Sequence, residues 1–111
     1  RRYPDGAIVE YDHAGHHALL SVPAGGSIVL TIGATTLTLT DGQAQIDTAT
    51  LLVKASAKTR FETPILEATG TIQDLCDTSG KTMSGMRAAY NQHRHPENDA
   101  GGPTDEPIEK M

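Results

Sequence analysis

The side chains most able to do chemistry in this chain are two imidazoles one residue apart, His93-Arg94-His95. Along extended backbone, side chains alternate between faces, so the spacing predicts that His93 and His95 project together and Arg94 away from them. One chain then offers two nitrogen donors to one ion, too few for a structural site. Three copies meeting on a threefold axis would supply an all-nitrogen octahedral shell with no open position. A closed shell fastens chains together and leaves no place for a substrate. It suits iron(II) or nickel better than zinc, whose structural sites are four-coordinate.

Other groups weigh less. His13, His16 and His17 form a loose set, but the surrounding glycine and strand signals predict a solvated turn. Asp77 with Ser79, and Asp99 beyond the histidine pair, are carboxylates that a threefold axis would bring together in the oxygen-rich arrangement calcium prefers. Solvated turn acids are the simpler account of both. Cys76 is the single cysteine, which excludes an intrachain disulfide and predicts a buried, inert thiol. A cupin-like metalloenzyme would also carry His-X-His on a strand. That arrangement needs a carboxylate about four residues on, where Asp99 stands, and a third histidine later, which this sequence lacks. No nucleophile triad, phosphate-cradling glycine loop or paired zinc-type cysteines occur, so the chain is not read as an enzyme.

The elements that must position the histidines are strands. Pro4-Asp5-Gly6 predicts a turn before a strand at Ala7 to Asp12, and the His13–His17 turn leads to a second strand at Ala18 to Val22. After Pro23-Ala24-Gly25-Gly26, alternation sets in: Ile28, Leu30 and Ile32 share one phase, then Thr35, Leu37 and Leu39 another after Gly33. Asp41-Gly42 turns the chain toward Gln45 to Thr48. A longer alternation runs from Leu51-Leu52-Val53 through Ala55, Ala57, Thr59, Phe61, Thr63 and Ile65. Threonine recurs throughout, as on half-buried strands. Ser84 to Tyr90 predicts a turn or two of helix with Ser84 as N-cap. The tail, Pro96 to Met111, is acidic and rich in glycine and proline, a composition that predicts partial disorder.

Composition narrows the architecture. The chain has 111 residues, no Trp, one Phe and three Tyr, and Leu, Ile, Val and Phe make up about a fifth of it. Short strands at this spacing suit a sandwich, a barrel or a β-helix, and a sandwich of this length usually carries aromatics and long aliphatics on its two inner faces. A narrow, intertwined β-helix takes small and β-branched residues on its axis, so the core is expected to be shared with neighbouring copies. Net charge is −5, which argues against a nucleic-acid binder and against docking on anionic lipid. No apolar run approaches the ~20 residues that span a bilayer. The opening at Arg1, straight into strand-like sequence, reads as part of a longer protein.

With these residues in view, the chain resembles a known family. Arg1-Arg2-Tyr3-Pro4-Asp5-Gly6-Ala7-Ile8-Val9-Glu10-Tyr11-Asp12, a Thr-rich alternating region, Met83-Ser84-Gly85-Met86-Arg87 and Tyr90-Asn91-Gln92-His93-Arg94-His95-Pro96 together look like the C-terminal part of the central spike, the baseplate assembly protein V family, of Mu-like contractile-tailed phages. The resemblance implies an all-β, homotrimeric needle: an intertwined triple-stranded β-helix with a small metal-bound apex, preceded by the last strands of an OB-fold-type domain. It places the end of that domain and a transition at 1–26, the shaft at 27–72 and the apex with the acidic tail at 73–111. It implies structural iron on His93 and His95 of each of three chains, with calcium and chloride also associated with the apex; Asp77 and Asp99 are the candidate calcium ligands. Expected partners are two further copies, the baseplate and tail tube through an upstream domain, and the host outer membrane, with no nucleic acid. The expected location is the virion, at the tip of the tail baseplate. A trimeric tail fibre or adhesin, or a secretion-system spike tip, is the alternative, although an adhesin needs an aromatic or sugar-binding patch that so few aromatics hardly build.

Overall fold

The computed structural model describes residues 1–96 and 101–111. They form five strands and one short helix: β1 Ile8–Asp12, β2 His17–Ser21, β3 Ile28–Ile32, β4 Thr35–Thr40, β5 Gln43–Asp47 and α1 Met83–Gln92. The chain divides into two compact units, Arg1–Lys58 and Thr59–Met111. No described helix is long and apolar enough to cross a membrane.

The first unit holds all five strands, in two sheets. Asp5 accepts the Ala7 N–H at Oδ1, and Gly6, at φ 95°, closes the turn by donating to the Tyr3 carbonyl. β1 then pairs antiparallel with β2 across the His13–His16 loop, with Asp12 opposite His17. Asp12 Oδ1 accepts the Ala14 N–H, a local side-chain bond that starts the loop, and His16 completes it at φ 51°.

The second sheet runs β3-β4-β5, all antiparallel. Gly33, with φ 54° ahead of Ala34, gives the two-residue link its single positive φ at the first central position, the arrangement of a II′ turn. That turn sets the register Ile28↔Leu39, Leu30↔Leu37 and Ile32↔Thr35, and β5 continues it with Leu37↔Ile46 and Leu39↔Ala44. The two phases of the sequence thus fall on one face, which carries Ile28, Leu30, Ile32, Leu37, Leu39, Ala44 and Ile46. The opposite face carries Val29, Thr31, Thr36, Thr38, Thr40, Gln43, Gln45 and Asp47. Thr31 and Thr36 hydroxyls meet at 3.3 Å across the strands, and those of Thr35 and Thr48 at 3.0 Å.

Within the first unit, no described residue covers the apolar face. Ile32 is 87% exposed, Leu30 59% and Ile46 52%, and no described residue is buried.

The long alternation beyond β5 does not pair within the chain. In the first unit, among the described residues, 51–58 make no backbone-to-backbone hydrogen bond; in the second, 59–71 make none either. Their local contacts are an Arg60–Glu62 ion pair at 2.7 Å and a Thr63 hydroxyl donating to the Ile65 carbonyl at 2.9 Å. Fixing each residue of such a stretch costs about 1–2 kcal/mol of backbone entropy. Neither ladder bonds nor burial offset that cost here.

In the second unit α1 begins two residues earlier than the sequence suggests. Thr82, not Ser84, is the N-cap: its Oγ1 accepts the Gly85 N–H at 2.9 Å, while Ser84 lies inside the first turn. Ser84 competes poorly because Gln73 bridges Thr82 and the Ile72 carbonyl takes the Met83 N–H at 2.7 Å, which pins the entry at Thr82. Thr82→Ala is expected to cost about 1 kcal/mol and to lower helical content in the far-ultraviolet circular dichroism spectrum, whereas Ser84→Ala changes it much less.

Candidate metal centre

α1 delivers the histidine pair. The helix stops at Gln92, and His93 is its C-cap with φ −67° and ψ 147°, extended backbone that carries the chain out toward His95. The helix-ending carbonyl of Tyr90 accepts from the His93 N–H at 3.4 Å and lies 2.6 Å from His93 Nδ1. A carbonyl oxygen can only accept, so Nδ1 carries the proton and Nε2 keeps the free lone pair. This fixes both tautomer and ring direction, the role an outer hydrogen bond plays for a ligating histidine.

The two rings come together. The His93 and His95 ring centroids are 5.1 Å apart, edge to face at 89°, and the Tyr90 ring sits 5.3 Å from that of His93. Two imidazoles bound at right angles to one ion, each nitrogen about 2.1 Å from it, hold their centroids roughly 4.6 Å apart. The observed centroid separation of 5.1 Å lies near that value. Arg94, between them, is engaged elsewhere, 3.6 Å from a Glu106 carboxylate oxygen.

No described group of three or more His, Cys, Asp or Glu gathers within one chain. His93 and His95 are the pair of side chains whose rings meet at this end of the chain. Asp77 lies in the exposed turn after Leu75, with Cys76 Sγ 3.9 Å from its Oδ1, and among the described residues it belongs to no group of three or more His, Cys, Asp or Glu. Asp99 lies outside the described residues. His13 and His16 lie in the β1–β2 loop and His17 opens β2, all exposed.

Two sequence expectations need correction here. Cys76 is exposed, not buried, because it sits in a tight turn in which Leu75 takes φ 47° and its carbonyl accepts from Thr78. Gly80 closes that turn: a Cβ there would run into the Asp74 carbonyl oxygen. The tail is also tied down over 101–111, where partial disorder was expected. Composition misses this because the ties are few, polar and specific. Thr104 and His95 exchange two hydrogen bonds, Asn91 pairs with Met111, and Lys110 reaches the Asn91 carbonyl at 2.6 Å. Asn91 and Thr104 could have been suspected only from their type, since an amide and a hydroxyl are the side chains that stand in for backbone partners.

Glu106 links these ties. Its carboxylate is held below the ordinary value of 4.5 by the Lys110 hydrogen bond and charge first, and by Arg94 after that. A depressed carboxyl favours the docked tail above the ordinary value and loses that contribution as pH falls through the depressed one. Acidification below 4.5 should therefore weaken the hold of Glu106 on Lys110 and Arg94 and modestly raise hydrogen exchange at the Met111 and Thr104 amides, the remaining ties staying in place. Glu106→Gln should show the raised exchange already at neutral pH.

No protein-family model, curated protein or solved structure matches this chain.

Proposed function

We propose that this chain is the distal part of a trimeric spike that pierces the outer membrane of a host cell when a contractile phage tail fires, with an iron ion held at its apex by His93 and His95 of three chains. The observation that carries the reading is the half-built character of the chain. An apolar sheet face lies open, a long alternating segment has no ladder partner, and a donor pair waits for further ligands. Three copies about one axis complete all of these at once. The sheets cover one another's apolar faces, residues 51–71 pair between chains, and six imidazole nitrogens surround one ion.

Mechanics supplies the reason for such a construction. A needle driven against a membrane must carry axial force without fraying, and chains whose strands hydrogen-bond to their neighbours cannot peel away singly. The end of the needle is its weak point, because terminal residues fray. An ion bound by all three chains couples order at the tip to trimer formation, and its donors are used up in holding it. No substrate position is left. His93 offers Nε2 with its tautomer already set by Tyr90, and His95 supplies the second donor beside it.

The test is the mass of the purified protein in solution together with its metal content. The reading expects a trimer carrying one iron per three chains. A monomer, or a trimer without metal at the histidines, contradicts it.

A further inference from the structure

Four ties fasten residues 101–111 to the end of α1 and the histidine pair. The His95 N–H donates to Thr104 Oγ1 at 2.6 Å, and the Thr104 N–H donates back to the His95 carbonyl at 2.7 Å. The Met111 N–H donates to Asn91 Oδ1 at 2.7 Å, and Asn91 Nδ2 donates to the Met111 carbonyl at 3.1 Å. Lys110 Nζ donates to the Asn91 carbonyl at 2.6 Å, which supplies a cation to a helix end that has no basic residue in its own last turn. Glu106 meets both Lys110 at 3.1 Å and Arg94 at 3.6 Å.

The two histidines are held differently. His93 is oriented by its own helix, through the Tyr90 carbonyl. His95 lies beyond the helix, and among the described residues its hydrogen bonds are the two backbone bonds to Thr104. Those bonds engage both the donor and the acceptor of the peptide backbone at His95, as a neighbouring strand would. From this asymmetry we infer that residues 101–111 are a strap that presets the donor pair, with Thr104 the positioning residue for His95 and Asn91 with Lys110 the anchor at the far end. The inference rests on the reading of His93 and His95 as metal ligands. Without the strap, His95 samples many orientations and each binding event must select one, so the ion is held less well. Outer groups that orient a ligand typically change metal affinity by about 10–100-fold.

The experiment uses the full chain, loaded with iron(II) alone, and follows loss of the ion to a chelator beside the mass in solution. Thr104→Val removes the accepting hydroxyl with little change of shape, and Thr104→Ser keeps it. The expected result is about tenfold or greater faster loss in Thr104→Val and in Asn91→Ala, near wild-type loss in Thr104→Ser, and trimeric mass in all of them. In the metal-free protein, Thr104→Val should also narrow the chemical-shift difference between the His95 ring protons and those of a free histidine, while the His93 ring signals stay in place. Unchanged loss in Thr104→Val overturns the strap and leaves the metal site standing. So does a Thr104→Ser variant that behaves like Thr104→Val, or a Thr104→Val chain that no longer forms trimers. A wild-type chain that takes up no iron overturns the metal site itself, and the strap with it.

Discussion

Replacing His93 and His95 together by alanine is expected to empty the apex of iron and loosen residues 83–96, while the strand-built part of the protein stays trimeric. Structural metal sites contribute on the order of 10 kcal/mol to the fold they close, far more than the local ties around α1 can supply. Those ties are hydrogen bonds worth about 1 kcal/mol each and exposed ion pairs worth less. On the proposed reading the loss is therefore confined to the end that the ion would hold. Metal analysis reads the first part, and hydrogen exchange over α1 the second. Single replacements separate the two donors: His93→Ala also removes a ring held by Tyr90, whereas His95→Ala removes only the donor held through Thr104. Full iron content in the double variant would refute the assignment.

Leu37→Glu should do the reverse and abolish assembly altogether. Leu37 occupies the middle of the central strand, flanked by Leu30 on one side and Ile46 on the other, at the centre of the open apolar face. In a trimer that face becomes the core. Each copy would then bury an unpaired carboxylate at a cost of several kcal/mol, and like charges would meet around the axis. Because no described residue is buried in the single chain, little stability remains once association fails. The expected outcome is unfolded or aggregated chain with no trimer by light scattering. Thr38→Glu is the matched control: it adds the same charge one residue on, on the polar face between Val29 and Gln45, and should be tolerated. If Leu37→Glu still assembles as wild type does, the apolar face is not the shared core.

Much of this follows from local sequence chemistry. Alternation is a period-2 property, so Ile28, Leu30, Ile32, Leu37 and Leu39 announce strands where a partner lies one tight turn away, whereas the same alternation from Leu51 to Ile65 forms no strand; Gly33 and Asp41-Gly42 announce the turns because few other residues take a positive φ without strain. The shortage of large apolar residues likewise predicts a core that one chain cannot close, and the chain leaves its apolar face open. The His-X-His spacing needs only extended backbone to bring two rings together, and the C-cap of α1 provides it.

What the sequence does not carry is contact between residues far apart in it. Whether Ser84 or Thr82 caps α1 depended on Gln73 and Ile72, which hold the chain at Thr82. The exposure of Cys76 followed from a turn that Leu75 enters against its own preference. The tail reads as disordered by composition because disorder is judged from missing apolar burial, and its ties are hydrogen bonds between Thr104 and His95 and between Asn91 and Met111, nine and twenty residues apart. Period and residue type thus determined the five strands, their turns and the meeting of the His93 and His95 rings, since each is decided within a few residues. Tertiary structure alone decided which groups hold the donors in place, since a hydrogen bond between distant residues exists only once the chain has brought them together.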